Sequence, residues 1–199
     1  MIKNIITTSC LSLVALSSAQ AIVVAFDESA DGDLGAPTAP TLLTFGIGTN
    51  TVTGQVDTNN GDTRDAIAFT LSAGQTLDSI ILLAYDNPDT LALSDGNTGF
   101  FSLDNGLVSV IPGGGTSGEF LTGSTFNSTS VGSDLLDLGN LTDGPGITGG
   151  QLGPGDYTFN IQNTSTISSY ELQFNVVPEP SSTALLGLGG LALAIRRRR

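Results

Sequence analysis

Two short stretches, Tyr157-Thr158-Phe159-Asn160-Ile161-Gln162 and Tyr170-Glu171-Leu172-Gln173-Phe174-Asn175-Val176, alternate apolar and polar residues. A period of two turns one face of an extended strand toward a core and does not suit a helix buried along one side. Residues 66–71 repeat the pattern, with Ile67, Phe69 and Leu71 on one side; Ser72-Ala73-Gly74-Gln75 then turns the chain and residues 77–85 return. Within that return, Ile80-Ile81-Leu82-Leu83 is apolar on both faces, which predicts a central strand covered on both sides. Residues 42–47, 51–56, 99–103, 107–111 and 119–122 are further strand candidates. They are punctuated by Asn60-Gly61, Asp95-Gly96, Asn105-Gly106, Pro112-Gly113-Gly114-Gly115 and Gly153-Pro154-Gly155. Apart from the two terminal segments, no window sustains a 3.6-residue apolar period. The expected fold is all-β, a single β-sandwich or jelly-roll domain over residues 41–177. Residues 163–169 are expected to close a hairpin. Residues 125–150 are expected to form a long surface loop, with one helical turn over 133–138.

The two ends have a different character. Residues 1–21 carry one cation, Lys3, then an apolar run over 5–16, then Ser17-Ser18-Ala19-Gln20-Ala21. Small residues at Ala19 and Ala21 give the signal-peptidase pattern, so a helical signal peptide cut after Ala21 is expected. Cys10 lies inside the apolar run, where a lipid-modified first residue would not be. At the other end, Pro178-Glu179-Pro180 precedes the nearly uncharged residues 181–195 and the arginines Arg196, Arg197, Arg198 and Arg199. Guanidinium groups are costly to move through a bilayer, so the basic cluster is expected to act as a cytoplasmic stop and leave the body outside. As a helix, fifteen residues span about 22 Å, short of a hydrocarbon core of about 30 Å. Three glycines weaken that helix further, so a transient anchor is expected.

Tripeptide, Gly-rich apolar segment and basic cluster, in that order over 178–199, resemble the PEP-CTERM sorting signal of Gram-negative bacteria that make extracellular polymeric material. The resemblance implies recognition by a membrane-embedded exosortase that cleaves at or near Pro178, Glu179 and Pro180. It further implies a brief stay in the inner membrane and final placement at the cell surface or in an extracellular matrix rich in exopolysaccharide. It describes handling, not activity.

Between the ends, nineteen carboxylates face one cation, Arg64, which leaves the body a formal charge near −18, more extreme than the −13 of the whole chain. Such a surface repels nucleic acid and anionic lipid. The body has no Cys, His, Trp or Lys, which excludes disulfides and thiolate or imidazole metal sites and leaves only oxygen ligands. Serine hydroxyls abound, but without His or Lys there is no ordinary base to activate one, and no Gly-x-Ser-x-Gly elbow occurs. The expectation is a protein that is not an enzyme. Tyr85 beside Asp86 and Asn87 offers a sugar-stacking ring or, equally, a core tyrosine. The corresponding alternatives for function are a polysaccharide-binding module and a calcium-dependent adhesin.

Asp57, Asn59, Asp62 and Asp65 fall within nine residues and are hard oxygen donors of the kind calcium takes. The helix-flanked calcium loop is not matched, because Gly61 and Asp62 are transposed and no Glu closes the loop. Two readings stay open: a calcium site, or a polar loop whose side chains bond nearby backbone while Arg64 pairs with a carboxylate. The other acidic run, Asp27-Glu28-Ser29-Ala30-Asp31-Gly32-Asp33, is expected to belong to a flexible, solvated lead over residues 22–40.

Three short motifs also resemble the pre-peptidase C-terminal-like domain of bacterial secreted proteins. They are Asp62-Thr63-Arg64-Asp65-Ala66-Ile67-Ala68-Phe69-Thr70-Leu71, Ser72-Ala73-Gly74-Gln75-Thr76-Leu77 and Leu152-Gly153-Pro154-Gly155-Asp156-Tyr157-Thr158-Phe159. That resemblance implies a β-sandwich accessory domain without catalysis.

Overall fold

The computed structural model describes residues 22–87, 99–109, 120–139, 147, 150–163 and 167–179. The expected signal segment with Ala19 and Ala21, Pro180, residues 181–195 and the four terminal arginines lie outside them. Among the described residues no helix is long and apolar enough to cross a membrane.

Among the described residues, nine strands form two sheets. One contains β1 (Ile22–Asp27), β3 (Gly48–Asp57), β9 (Ile167–Pro178) and β5 (Gln75–Asp86), side by side in that order. The other runs β2 (Thr41–Leu43), β4 (Arg64–Leu71), β8 (Gly155–Asn163), β6 (Gly99–Asn105) and β7 (Phe120–Phe126). The pairings β1 with β3 and β2 with β4 are parallel; the rest are antiparallel. Two one-turn helices, α1 (Glu28–Asp31) and α2 (Leu135–Leu138), decorate the edges. The architecture is an all-β sandwich.

Alternation fills the gap between the sheets with aromatic rings. Phe174 of β9 stacks on Phe45 at 4.6 Å between centroids and meets Phe69 of β4 and Phe159 of β8 edge-on, each at 5.8 Å. Phe101 of β6 stacks on Phe159 at 5.7 Å, and Tyr85 meets Phe126 edge-on at 5.0 Å. Rings offset or edge-on add to the area they bury.

Several sequence expectations are corrected. Strands β8 and β9 do not make a hairpin, and neither do β4 and β5, because in each case the chain crosses from one sheet to the other. Alternation fixes which face of a strand is inward, but the inner faces of two apposed sheets carry the same pattern. Strand β5, expected to be central, is an edge. Its outer face is not covered, since Leu83 is exposed and Ile81 half-buried, but its edge is: the Gly132 amide donates to the Leu82 carbonyl, the Leu82 amide to the Ser133 carbonyl, and Asp134 Oδ1 accepts the Ile80 amide at 2.9 Å. These bonds, with the Leu77–Leu152 bridge, occupy backbone groups that a bare edge would offer to another chain. Residues 22–27 are a strand, not a flexible lead, since Phe26 is buried and the β1 backbone pairs with β3. Residues 107–109 form no strand, and the strand expected over 42–47 ends at Leu43. The expected loop after β7 holds a 3-10 turn (Ser128–Ser130) and α2, whose Leu135 and Leu136 enter the core.

Candidate metal centre

One end of the sandwich gathers four carboxylates. Strand β1 delivers Asp27 as the cap of α1, accepting the Ser29 amide at 3.1 Å. This sets Glu28 and, beyond the helix, Asp33 over the start of β4. From the other side, the loop after β3 returns on itself: the Asp62 amide donates to the Asp57 carbonyl at 3.1 Å, and the Asp57 amide donates to Asp62 Oδ2 at 3.2 Å. Gly61, at φ +87°, supplies the left-handed residue this reversal requires. One oxygen each from Glu28, Asp33, Asp62 and Asp65 lies within 4.8 Å of all the others.

Asp65 is the anchor. It is 1% exposed, yet it carries a carboxylate. Tyr170, fully buried on β9, donates its hydroxyl to Asp65 Oδ2 at 2.7 Å. Asp65 Oδ1 is buried with no hydrogen-bond partner. A buried acceptor left open is costly, and most such groups in folded proteins find a partner. Gly54 makes the geometry possible, since a Cβ there would stand 2.3 Å from the Tyr170 hydroxyl oxygen.

The electrostatics agree. Burial, and then the surrounding carboxylates Asp62, Glu28 and Asp33, push Asp65 up to about 8, against the lowering effect of Tyr170. Burial and the hydrogen-bonded Asp33 push Glu28 up to about 7, although its carboxylate accepts the amides of Gln55 and Leu34. Burial raises Asp62 as well. Carboxylates packed together without a counter-charge must take up protons or bind a cation. Calcium suits the spacing: oxygens 2.3–2.6 Å from one ion lie at most about 4.6–5.2 Å apart, whereas magnesium, at about 2.0–2.1 Å, would need about 4.0–4.2 Å.

Of the four residues singled out in the sequence, the structure brings Asp62 and Asp65 together. Asp57 lines the same cleft, but its carboxylate caps the 3-10 turn Thr58–Asn60, accepting the Asn59 amide at 3.0 Å and Asn60 Nδ2 at 2.5 Å. Asn59 is exposed and does not line that cleft. Glu28 and Asp33 were missed as partners. The acidic run that contains them was visible, but nothing local linked it to residues about thirty positions away. Arg64 Nε is buried without a hydrogen-bond partner, while its backbone hydrogen-bonds the Asp62 carboxylate. Tyr85 is 7% exposed and packed on Phe126, so its ring is a core ring and offers no face to a sugar.

No curated protein matches the chain. The chain is weakly similar in structure to the pre-peptidase C-terminal domain of a collagenase from Bacillus anthracis, with 13% identity over 69% of this chain and 96% of that one and a TM-score of 0.30. Residues 176–199 match the PEP-CTERM protein-sorting motif, which marks the chain for exosortase-dependent export to the surface of a Gram-negative cell.

Proposed function

We propose that the chain is an exosortase substrate whose body is released as a non-catalytic, calcium-loaded β-sandwich serving a structural or adhesive role at the cell surface or in an exopolysaccharide matrix. The sorting match over residues 176–199 carries the route. In this reading signal peptidase cuts after Ala21, the inner membrane holds the precursor through residues 181–195, and the exosortase reads Pro178, Glu179 and Pro180. The four-carboxylate cluster favours the calcium-dependent adhesin over a plain polysaccharide-binding module. Its four carboxylates offer a cation converging oxygen ligands, while the one tyrosine singled out for sugar stacking is buried.

Replacing Pro178, Glu179 and Pro180 together with alanine is expected to leave the precursor in the membrane fraction. Mass spectrometry of the wild-type secreted body should find a C-terminus that lacks Arg196 to Arg199. Release of the alanine variant at the normal rate, or intact arginines on secreted material, would refute the route. Clumping of producer cells that a chelator reverses is the outcome expected of the adhesive role.

A further inference from the structure

The sorting tripeptide begins inside the folded domain. Pro178 is the last residue of β9 and lies opposite Gln75 of β5, and the Glu179 amide donates to the Gly74 carbonyl at 2.9 Å. On the opposite side of β9, the β3 pairing ends where Gly48 meets Val176. Among the described residues, positions 177–179 therefore have a strand neighbour on the β5 side only. Backbone groups of successive strand residues point to opposite sides. Since Glu179 turns its amide to β5, the backbone groups of Pro178 face the vacant side, where a missing N–H breaks no ladder bond. Pro178 and Glu179 are both exposed.

From this geometry we infer that the turn over residues 72–75 is a docking cradle, and that it presents Pro178 and Glu179, the first two residues of the tripeptide, to the peptidase as extended main chain with one open edge. The inference rests on the sorting reading given above. Its partner is a membrane-embedded protease that binds extended substrate backbone along the free side of Pro178. Extended main chain bound at a sheet edge is a general mode of peptide recognition, and here the edge and the peptide are one piece. Gly74 is a positioning residue: at φ +84° it takes the backbone shape that aims its carbonyl at Glu179. A Cβ at Gly74 would meet nothing within 4 Å, so substitution there acts through turn geometry and not through a clash.

Two full-length variants that keep the sorting sequence intact provide the test, each expressed in a cell that has the peptidase. One inserts Gly-Ser-Gly-Ser between Val177 and Pro178, leaving the β9 ladder through Val177 in place. The other is Gly74→Ala. Release of mature body, followed by pulse-chase and immunoblot, is expected to slow by about tenfold or more for the insertion, because the scissile region loses its preset position, and by less for Gly74→Ala. The melting temperature of the solubilised precursor, read alongside, is expected to stay close to wild type for the insertion. Wild-type release of the insertion variant overturns the cradle. The triple-alanine variant run beside it separates the two ideas: its normal release sinks the sorting reading, whereas its retention beside a normally released insertion variant sinks the cradle alone.

Discussion

In chelator, the melting temperature of the body is expected to fall as pH rises from about 4 to about 8, and millimolar calcium is expected to abolish most of that fall. The sign follows from proton counting. Glu28 and Asp65 have ordinary pKa values near 4 in the unfolded chain, but about 7 and about 8 when folded. Between those limits the folded state holds more protons than the unfolded one, so stability decreases with pH. The stabilising share of these two groups is complete below the unfolded values and is lost as pH rises through the folded ones. A bound cation replaces the protons, because a ligating carboxylate must be ionised. The calcium-induced shift is thus small near pH 4 and grows toward pH 8. At a calcium concentration about 100 times Kd it should reach about 2.7 kcal/mol, or on the order of 10 °C. Asp65→Asn keeps an acceptor for Tyr170 but removes the buried charge. It is expected to lose the calcium response and, in chelator at pH 8, to melt above the wild type. Calorimetric titration without heat, together with an unchanged melting temperature in calcium, would remove the ion.

Phe174→Ala is expected to cost about 3–5 kcal/mol, a large fraction of the roughly 5–15 kcal/mol typical of a domain. Phe174 is 0% exposed; from its own sheet it meets two rings of the other, Phe69 and Phe159, edge-on and stacks on Phe45 of the segment between β2 and β3. Its loss opens a cavity in the middle layer, where neither sheet can move inward without breaking its ladder. Urea unfolding should show a lower midpoint at unchanged slope. By contrast Leu42→Ala, at a residue 67% exposed, should change stability by less than about 0.5 kcal/mol. Equal effects at the two positions would mean that the aromatic layer is not the core.

The strands and their inward faces were legible because Phe69, Phe159, Leu172 and Phe174 recur at a strict period of two between turn residues. Sheet membership was not legible. A strand that lines the sandwich from above and one that lines it from below bury the same residues, so β8 and β9 read as a hairpin although they face each other across the core. The apolar run of β5 read as a central strand, but its outer residues Ile81 and Leu83 are half-buried and exposed, and the segment around residues 132–134 bonds the strand's edge without forming a further layer. At the cluster, Asp62 and Asp65 were legible as a local run of oxygen donors. Glu28 and Asp33 were not, since only the parallel pairing of β1 with β3 carries them there. A clue was nevertheless present: Ile22-Val23-Val24-Ala25-Phe26 is strand-like, and a strand there places the acidic run against the body.

Strand β9 begins beside the acidic cleft, where Ile167 pairs with Asp57, and ends in the sorting tripeptide. Tyr170, which bonds Asp65 of the cluster, stands eight residues before Pro178, about 26 Å along the strand. The Debye length in physiological salt is about 8 Å, so fixed charge on a lipid headgroup layer is screened several times over across that span. In the proposed route, calcium is therefore expected to bind the membrane-held precursor and the released body with the same affinity, which titration of both forms would check.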